Sequence, residues 1–325
     1  MTEWSHSRTQ QGLLADRLIP NVGAVAGTAH TSMEREVASQ PATWRTAAQR
    51  TAPELARVLT APGPLAVVGC GTSWFVAQAV AALRESAGHG PTDAYTATEA
   101  RLGRNYPELL VVSRSGTTTE VAELLVGRPA GTRATAIVAV DDTPIARAAD
   151  HVVVLDYADE ESVVQTRFAT SLLAAARAAL GEDVEALAQS ADDALATPLP
   201  AGALDARQSV FLGTGWSIGL AHEAALKLRE AAQLWSESYP AMEYRHGPVA
   251  LAEPGTVVWI FGDAPEGLVA QVAATGANVV DDPLDPMVDL VRVHRLALTR
   301  ATRQGLDPDR PRNLTRSVVL NRSAS

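Results

Sequence analysis

Three charged residues, Glu223, Lys227 and Glu230, follow one another at intervals of four and three in and beside the run ALKLRE. On an α-helix that spacing puts all three on one face. A carboxylate held beside an ammonium can move a proton. The same spacing also fits an exposed Glu–Lys pair contributing about 0.3 kcal/mol. His246 stands in Glu-Tyr-Arg-His-Gly-Pro, where Gly247 and Pro248 predict a rigid turn that fixes the imidazole. An imidazole can take and return a proton near neutral pH, although a lone loop histidine is often simply exposed. The third group is rich in hydroxyls: Thr72 and Ser73 in CGTS, and Ser113, Ser115 and Thr118 in SRSGTT. Such residues, with free helix N–H groups and the helix dipole, suit an anion, and two such turns could wrap one phosphate. As ordinary turns, their hydroxyls would only cap helices.

These groups need strands and helices to bring them together. Both hydroxyl turns follow apolar runs, LAVVG and LLVV, and Gly71 and Gly116 permit tight turns into helices. The pattern predicts strands at Leu65–Gly69, Asp93–Ala97, Leu109–Ser113, Ala134–Val140 and His151–Leu155. Helices are expected at Met33–Gln40, ended by Pro41, and at Ala47–Leu59, Phe75–Ala87, Glu120–Leu125, Pro144–Ala149 and Thr166–Leu180. Apolar strands alternating with helices indicate a parallel sheet covered on both faces. Ala196–Ala203, with two prolines and a glycine, reads as a linker, after which the theme restarts. Strands at Ser209–Gly213, Thr256–Phe261 and Asn278–Val280 accompany helices at Ile218–Gln233 and Met287–Arg303. The turn GTGWS leads into the first of these helices, so Glu223, Lys227 and Glu230 would front the crevice at the sheet's carboxyl end. The chain is expected to divide into a tail (1–32), a first α/β unit with leading helices (33–195), and a second, shorter unit with a C-terminal tail (196–325).

Composition narrows the function. With 325 residues, 46% hydrophobic, and mean hydropathy near zero, the chain can bury a large core. A formal charge of −10 argues against nucleic acid as a partner, so an anionic substrate must be held by a local site. The single cysteine, Cys70, rules out an internal disulfide and a multi-cysteine metal site, and the seven histidines lack metal-ligand spacing. No metal or other cofactor is expected. The N-terminus has no signal-peptide pattern and no apolar run approaches a membrane span, so a cytoplasmic location is the expectation.

Five blocks in order, CGTS (70–73), SRSGTT (113–118), ALKLRE (225–230), EYRHGP (243–248) and PRNLTRSV (311–318), together resemble the sugar isomerase (SIS) family. The likeness is to the isomerase half of glutamine–fructose-6-phosphate aminotransferase and its stand-alone relatives, and runs from Met33 to Leu320. It implies an α/β fold of two tandem flavodoxin-like units, each a parallel sheet flanked by helices. It also implies a homodimer and a phosphosugar bound at the carboxyl ends of strands. Carried over by position, Ser73, Ser113, Arg114, Ser115 and Thr118 would cradle the phosphate. Thr72, Val163 and Thr166 would line the sugar, with Glu223 on the same substrate-facing helix. Glu230 would move a proton between C1 and C2, supported by Lys227. His246, from the neighbouring subunit, would open the sugar ring.

Departures from the family pattern refine the expectation. Arg114 replaces the glutamine usual in the aminotransferase, and a guanidinium suits phosphate through paired, charge-assisted bonds. Arg316 occupies the position of the tail lysine; being always protonated it cannot form a Schiff base, which leaves it an electrostatic role toward the sugar. With no glutaminase segment preceding Met33 in the sequence and Cys70 inside the first unit, deamination or plain isomerisation is expected over synthesis. The leading expectation is glucosamine-6-phosphate deaminase. A tagatose-6-phosphate-type isomerase, a fructosamine-phosphate deglycase and a non-catalytic phosphosugar sensor stand beside it.

Overall fold

A computed structural model describes residues 31–320. The N-terminal tail through residue 30 lies outside the described residues. Two all-parallel sheets form. The first runs β2-β1-β3-β4-β5, from β1 (Leu65–Gly69), β2 (Thr92–Thr96), β3 (Glu108–Val112), β4 (Arg133–Val138) and β5 (His151–Val154). The second runs β7-β6-β8-β9, from β6 (Gln208–Gly213), β7 (Ser236–Pro240), β8 (Thr256–Phe261) and β9 (Asn278–Val280). The second order repeats the first strand for strand and stops one short, as its smaller length leads one to expect. Central strands β1, β3, β6 and β8 are buried almost throughout, the mark of a sheet covered on both faces. The order is that of a doubly wound fold, whose ligands sit beyond the carboxyl ends of the strands where the order reverses.

The helices are α1 (Ser32–Ala38), α2 (Gln40–Thr46), α3 (Ala52–Leu59), α4 (Thr72–Ser86), α5 (Thr119–Val126), α6 (Pro144–Ala148), α7 (Arg167–Ala179), α8 (Val184–Ala196), α9 (Ser217–Ala231), α10 (Leu268–Ala273) and α11 (Pro286–Arg303). Pro41 does not end a helix but begins one. It lies in the first turn of α2, where its missing N–H costs nothing. The expected helix from Ala47 is interrupted: Ala47–Thr51 widens into a π turn immediately before Pro53, whose ring and missing N–H break the regular ladder.

One core cluster unites the units, with α4 and α9 packed against each other between them. Each helix follows the first strand of its own sheet through a glycine turn, Gly71 at φ 56° and Gly215 at φ 58°. Gly219 makes the crossing close: a Cβ there would lie 2.4 Å from the Phe75 carbonyl oxygen. That approach brings the start of α4 to the charged face of α9.

Candidate active site

The spacing of Glu223, Lys227 and Glu230 puts them together on α9, and the helix crossing adds Thr72. Lys227 is completely buried, and its Nζ donates to Glu230 Oε2 at 2.6 Å and to Thr72 Oγ1 at 3.0 Å. Glu223 Oε1 lies 3.3 Å away, and its carboxylate is also buried. A surface Glu–Lys pair is therefore ruled out. Burial pushes the Glu223 carboxyl up to about 7, with Lys227 opposing and Glu230 reinforcing the shift. Burial pulls the Lys227 ammonium down, but the two glutamates outweigh it and leave the net shift upward. Lys227 is a fixed buried cation, and Glu230 is the member of the trio with a fifth of its side chain open to solvent. A carboxylate oriented by a buried ammonium at the edge of a crevice can exchange protons with a ligand.

The hydroxyl turn lies between β3 and α5. Gly116 is required there twice over: its φ is +66°, and a Cβ would sit 2.1 Å from Thr143 Oγ1. Ser113 Oγ lies 3.5 Å from Thr118 Oγ1, while Thr117 Oγ1 and the Thr117 N–H both reach Ser115 Oγ. Thr118 is the N-cap of α5 without bonding the helix through its side chain. Ser73 is buried in the first turn of α4. In the second unit the equivalent position is used internally, since Ser217 Oγ donates to the Phe261 carbonyl. The two glycine turns are therefore alike in backbone but not in the groups they leave for a ligand.

Four expected ligand residues have partners within the protein itself. Arg114 does not extend a free fork: it is 2% exposed, and its guanidinium donates to the carbonyls of Ser162, Val163 and Arg316. The buried Glu160 carboxylate, 3.6 Å from Arg114, draws it inward. Arg316 is bound to the Glu160 carbonyl and the Asp159 carboxylate. Thr166 turns its hydroxyl to Glu160 Oε1 at 2.9 Å, while Val163 is half-buried with its N–H on the Asp309 carbonyl. His246 ends a 3-10 helix (Ala241–His246) before Gly247 at φ 135°, so the rigid turn is present. The imidazole is exposed, and among the described residues no hydrogen bond joins it to α9 or to the hydroxyl turn.

Sequence reasoning missed several residues around the site. Glu36 accepts from the Glu161 and Ser162 N–H groups; burial, reinforced by Glu160, pushes it up to about 7. His294 on α11 is fully buried with Nδ1 3.2 Å from Gln40 Oε1, and burial with the nearby Lys227 charge pushes it down to about 3. Gln40 Oε1 can only accept, so His294 carries its proton on Nδ1. Signals were faint: Gln40 and Glu36 lie in the block MEREVASQP, but a buried glutamate in a polar stretch has no periodicity of its own. Cys70 is half-buried just past β1, its thiol pushed up by burial. Among the described residues, no cluster of three or more His, Cys, Asp or Glu could hold a metal ion, and no helix is long and apolar enough to cross a membrane.

Comparison with known proteins agrees with this architecture. Residues 59–180 match the SIS domain model. Glutamine–fructose-6-phosphate aminotransferase [isomerizing] of Bacillus subtilis (strain 168) is 27% identical over 355 residues, covering 90% of this chain and 59% of that protein. The enzyme of the same name from Methanothermobacter thermautotrophicus is 29% identical, covering 78% of this chain and 51% of its own length. The chain thus spans between half and three-fifths of these relatives. Among solved structures, glucosamine-6-phosphate deaminase from Thermotoga maritima superposes with a TM-score of 0.74 at 24% identity, covering 89% of this chain and all of that one. Tagatose-6-phosphate ketose/aldose isomerase from Escherichia coli gives 0.69 at 18% identity, covering 87% and 98%. Such identities carry the fold alone. Residues 59–180, which carry the first sheet, thus match the SIS domain, and the second sheet is wound in the same order.

Proposed function

We propose that the chain is a phosphosugar aldose–ketose isomerase that acts on an amino sugar, converting glucosamine 6-phosphate and water to fructose 6-phosphate and ammonia. The observation that carries this reading is the buried Lys227 held between Glu223 and Glu230 at the edge of the crevice. An isomerase needs one carboxylate that can reach two adjacent carbons, and a fixed cation to favour the negative charge that develops between them. Glu230 takes the proton from C2 of the open-chain sugar and returns it at C1. The amine-bearing C2 becomes an imine, which water hydrolyses to the ketone and ammonia. Ser73, Ser113, Ser115 and Thr118 anchor the phosphate, and Thr72, beside Lys227, faces the sugar.

Ring opening falls to His246. Its exposed position, with no hydrogen bond to α9 or to the hydroxyl turn among the described residues, suits delivery into the site of a second copy, as a homodimer. Met242 and Leu251, 50% and 54% exposed on either side of His246, supply apolar surface for that contact. A cytoplasmic enzyme without a resident cofactor fits this chemistry. The same residues would also serve an isomerase that retains its substituents, and the likeness to the tagatose-6-phosphate enzyme favours that as the second reading. Ammonia release from glucosamine 6-phosphate, measured beside fructose 6-phosphate formation, separates the two. Ammonia and ketose in equal amounts support the deaminase. Turnover of tagatose 6-phosphate without any of glucosamine 6-phosphate overturns it.

A further inference from the structure

Arg114 lies in the hydroxyl turn, yet its side chain runs into the protein. Its Nη1 donates to the Ser162 carbonyl at 2.8 Å, and its Nη2 to the carbonyls of Val163 at 3.2 Å and Arg316 at 3.3 Å. One buried guanidinium therefore ties together three separate segments: the turn, the loop after β5, and the C-terminal strap of residues 313–320. Arg316 reciprocates by donating to the Asp159 carboxylate and the Glu160 carbonyl. Further along, the strap crosses the turn itself. Thr117 Oγ1 donates to Ser317 Oγ at 2.9 Å, the Thr119 N–H to the Val318 carbonyl at 3.1 Å, and the Leu320 N–H to Thr119 Oγ1 at 2.9 Å. Val318, Val319 and Leu320 are about half exposed, so polar bonds rather than apolar burial hold the strap down.

We propose that Arg114 is a positioning residue, which latches the C-terminal strap and the loop after β5 around the hydroxyl turn without itself touching the phosphate. The proposal deepens the phosphosugar reading and rests on it for the identity of the ligand, while the latch is tested without turnover. With Nη1 and Nη2 engaged by three carbonyls and the Glu160 carboxylate 3.6 Å away, the guanidinium leaves only its buried Nε–H unpartnered, which is not a fork for an anion. Its charge still counts, because charge-assisted bonds to carbonyls are stronger than neutral ones.

The test uses the full chain with Arg114→Gln, Arg114→Lys and Arg316→Gln. Two quantities are measured: the dissociation constant for inorganic phosphate, and amide hydrogen exchange at Thr119 and Leu320. A latch predicts exchange at both amides at least about tenfold faster in Arg114→Gln, with phosphate affinity within about threefold of the unaltered chain. Arg114→Lys, which keeps the charge but reaches fewer carbonyls, should fall between. Arg316→Gln should accelerate the same amides, and combining it with Arg114→Gln should add less than the two separately. Phosphate binding weakened by tenfold or more with unchanged exchange would make Arg114 a direct ligand and overturn the proposal. Unchanged exchange in Arg114→Lys and Arg316→Gln would overturn it even if Arg114→Gln failed to fold. If the unaltered chain binds no phosphate, the phosphosugar reading fails alone, and the exchange rates still decide the latch.

Discussion

Replacing Lys227 by methionine keeps most of the side-chain volume and removes a buried charge. In the unaltered chain the ammonium sits 2.6 Å from Glu230 and 3.3 Å from Glu223, with no solvent contact. Its loss leaves two carboxylates facing each other across a buried space, and removing one partner of a buried pair costs about 3–5 kcal/mol. That cost must depend on pH. Glu223 stands at about 7 with the lysine present, and higher without it. Below its unfolded value of 4.5 the carboxyl is neutral in both states; as pH rises past 4.5 the unfolded chain loses that proton first, and stability falls. Lys227→Met should therefore lose about 4 kcal/mol at pH 8.5 and at least about 1.5 kcal/mol less at pH 5.5. Urea unfolding at both pH values measures this. Adding Glu223→Gln should restore about 1–2 kcal/mol at pH 8.5, the coupling expected of side chains in contact. A loss below about 1 kcal/mol, or one equal at the two pH values, would refute the buried, carboxylate-held cation.

Glu230→Gln should lower turnover by about a thousandfold or more while leaving phosphosugar affinity within a few-fold, because it removes only the proton carrier. Retained activity in steady-state assays would exclude Glu230 as the base. Ser115→Ala combined with Thr118→Ala should raise KM by about tenfold or more with less effect on kcat, by deleting hydroxyls from the turn. Equal KM values would remove that turn from substrate binding. His294→Asn keeps a donor toward Gln40 but cannot take a proton. His294 falls from 6.5 unfolded to about 3 folded, so the unaltered chain should lose stability as pH drops from 6.5 towards 3, by up to about 1.4 kcal/mol per pH unit. The variant should lose less over that window in thermal unfolding scans, and an identical slope would contradict a buried neutral imidazole.

Much of the fold could be read from apolar strands that break into glycine turns, because LAVVG, LLVV and SVFLG each carry the physics of a central parallel strand. The strand β7 escaped because SESYP is polar, ends in proline and lies at a sheet edge, where only its first residue is buried. Helix α8 escaped because its alanine and aspartate pattern resembles an exposed segment, although Asp183 caps it. The trio on α9 was legible from spacing, but its burial was not: helical periodicity places side chains on a face without saying what covers it. The direction of Arg114 was illegible for a related reason. Its partners are backbone carbonyls 48 to 202 residues away, and carbonyls leave no mark in the residue types. The partners of Arg316 were illegible for the same reason, since Asp159 and Glu160 look like any other acidic pair.

The central claim, that this crevice moves a proton along an amino-sugar phosphate and releases nitrogen, meets its most direct test in one assay. Purified protein is incubated with glucosamine 6-phosphate, and ammonia and fructose 6-phosphate are followed together. The account predicts both products in equal amounts, abolished by Glu230→Gln. Neither product from the unaltered chain, with the same sugar still bound, would contradict it.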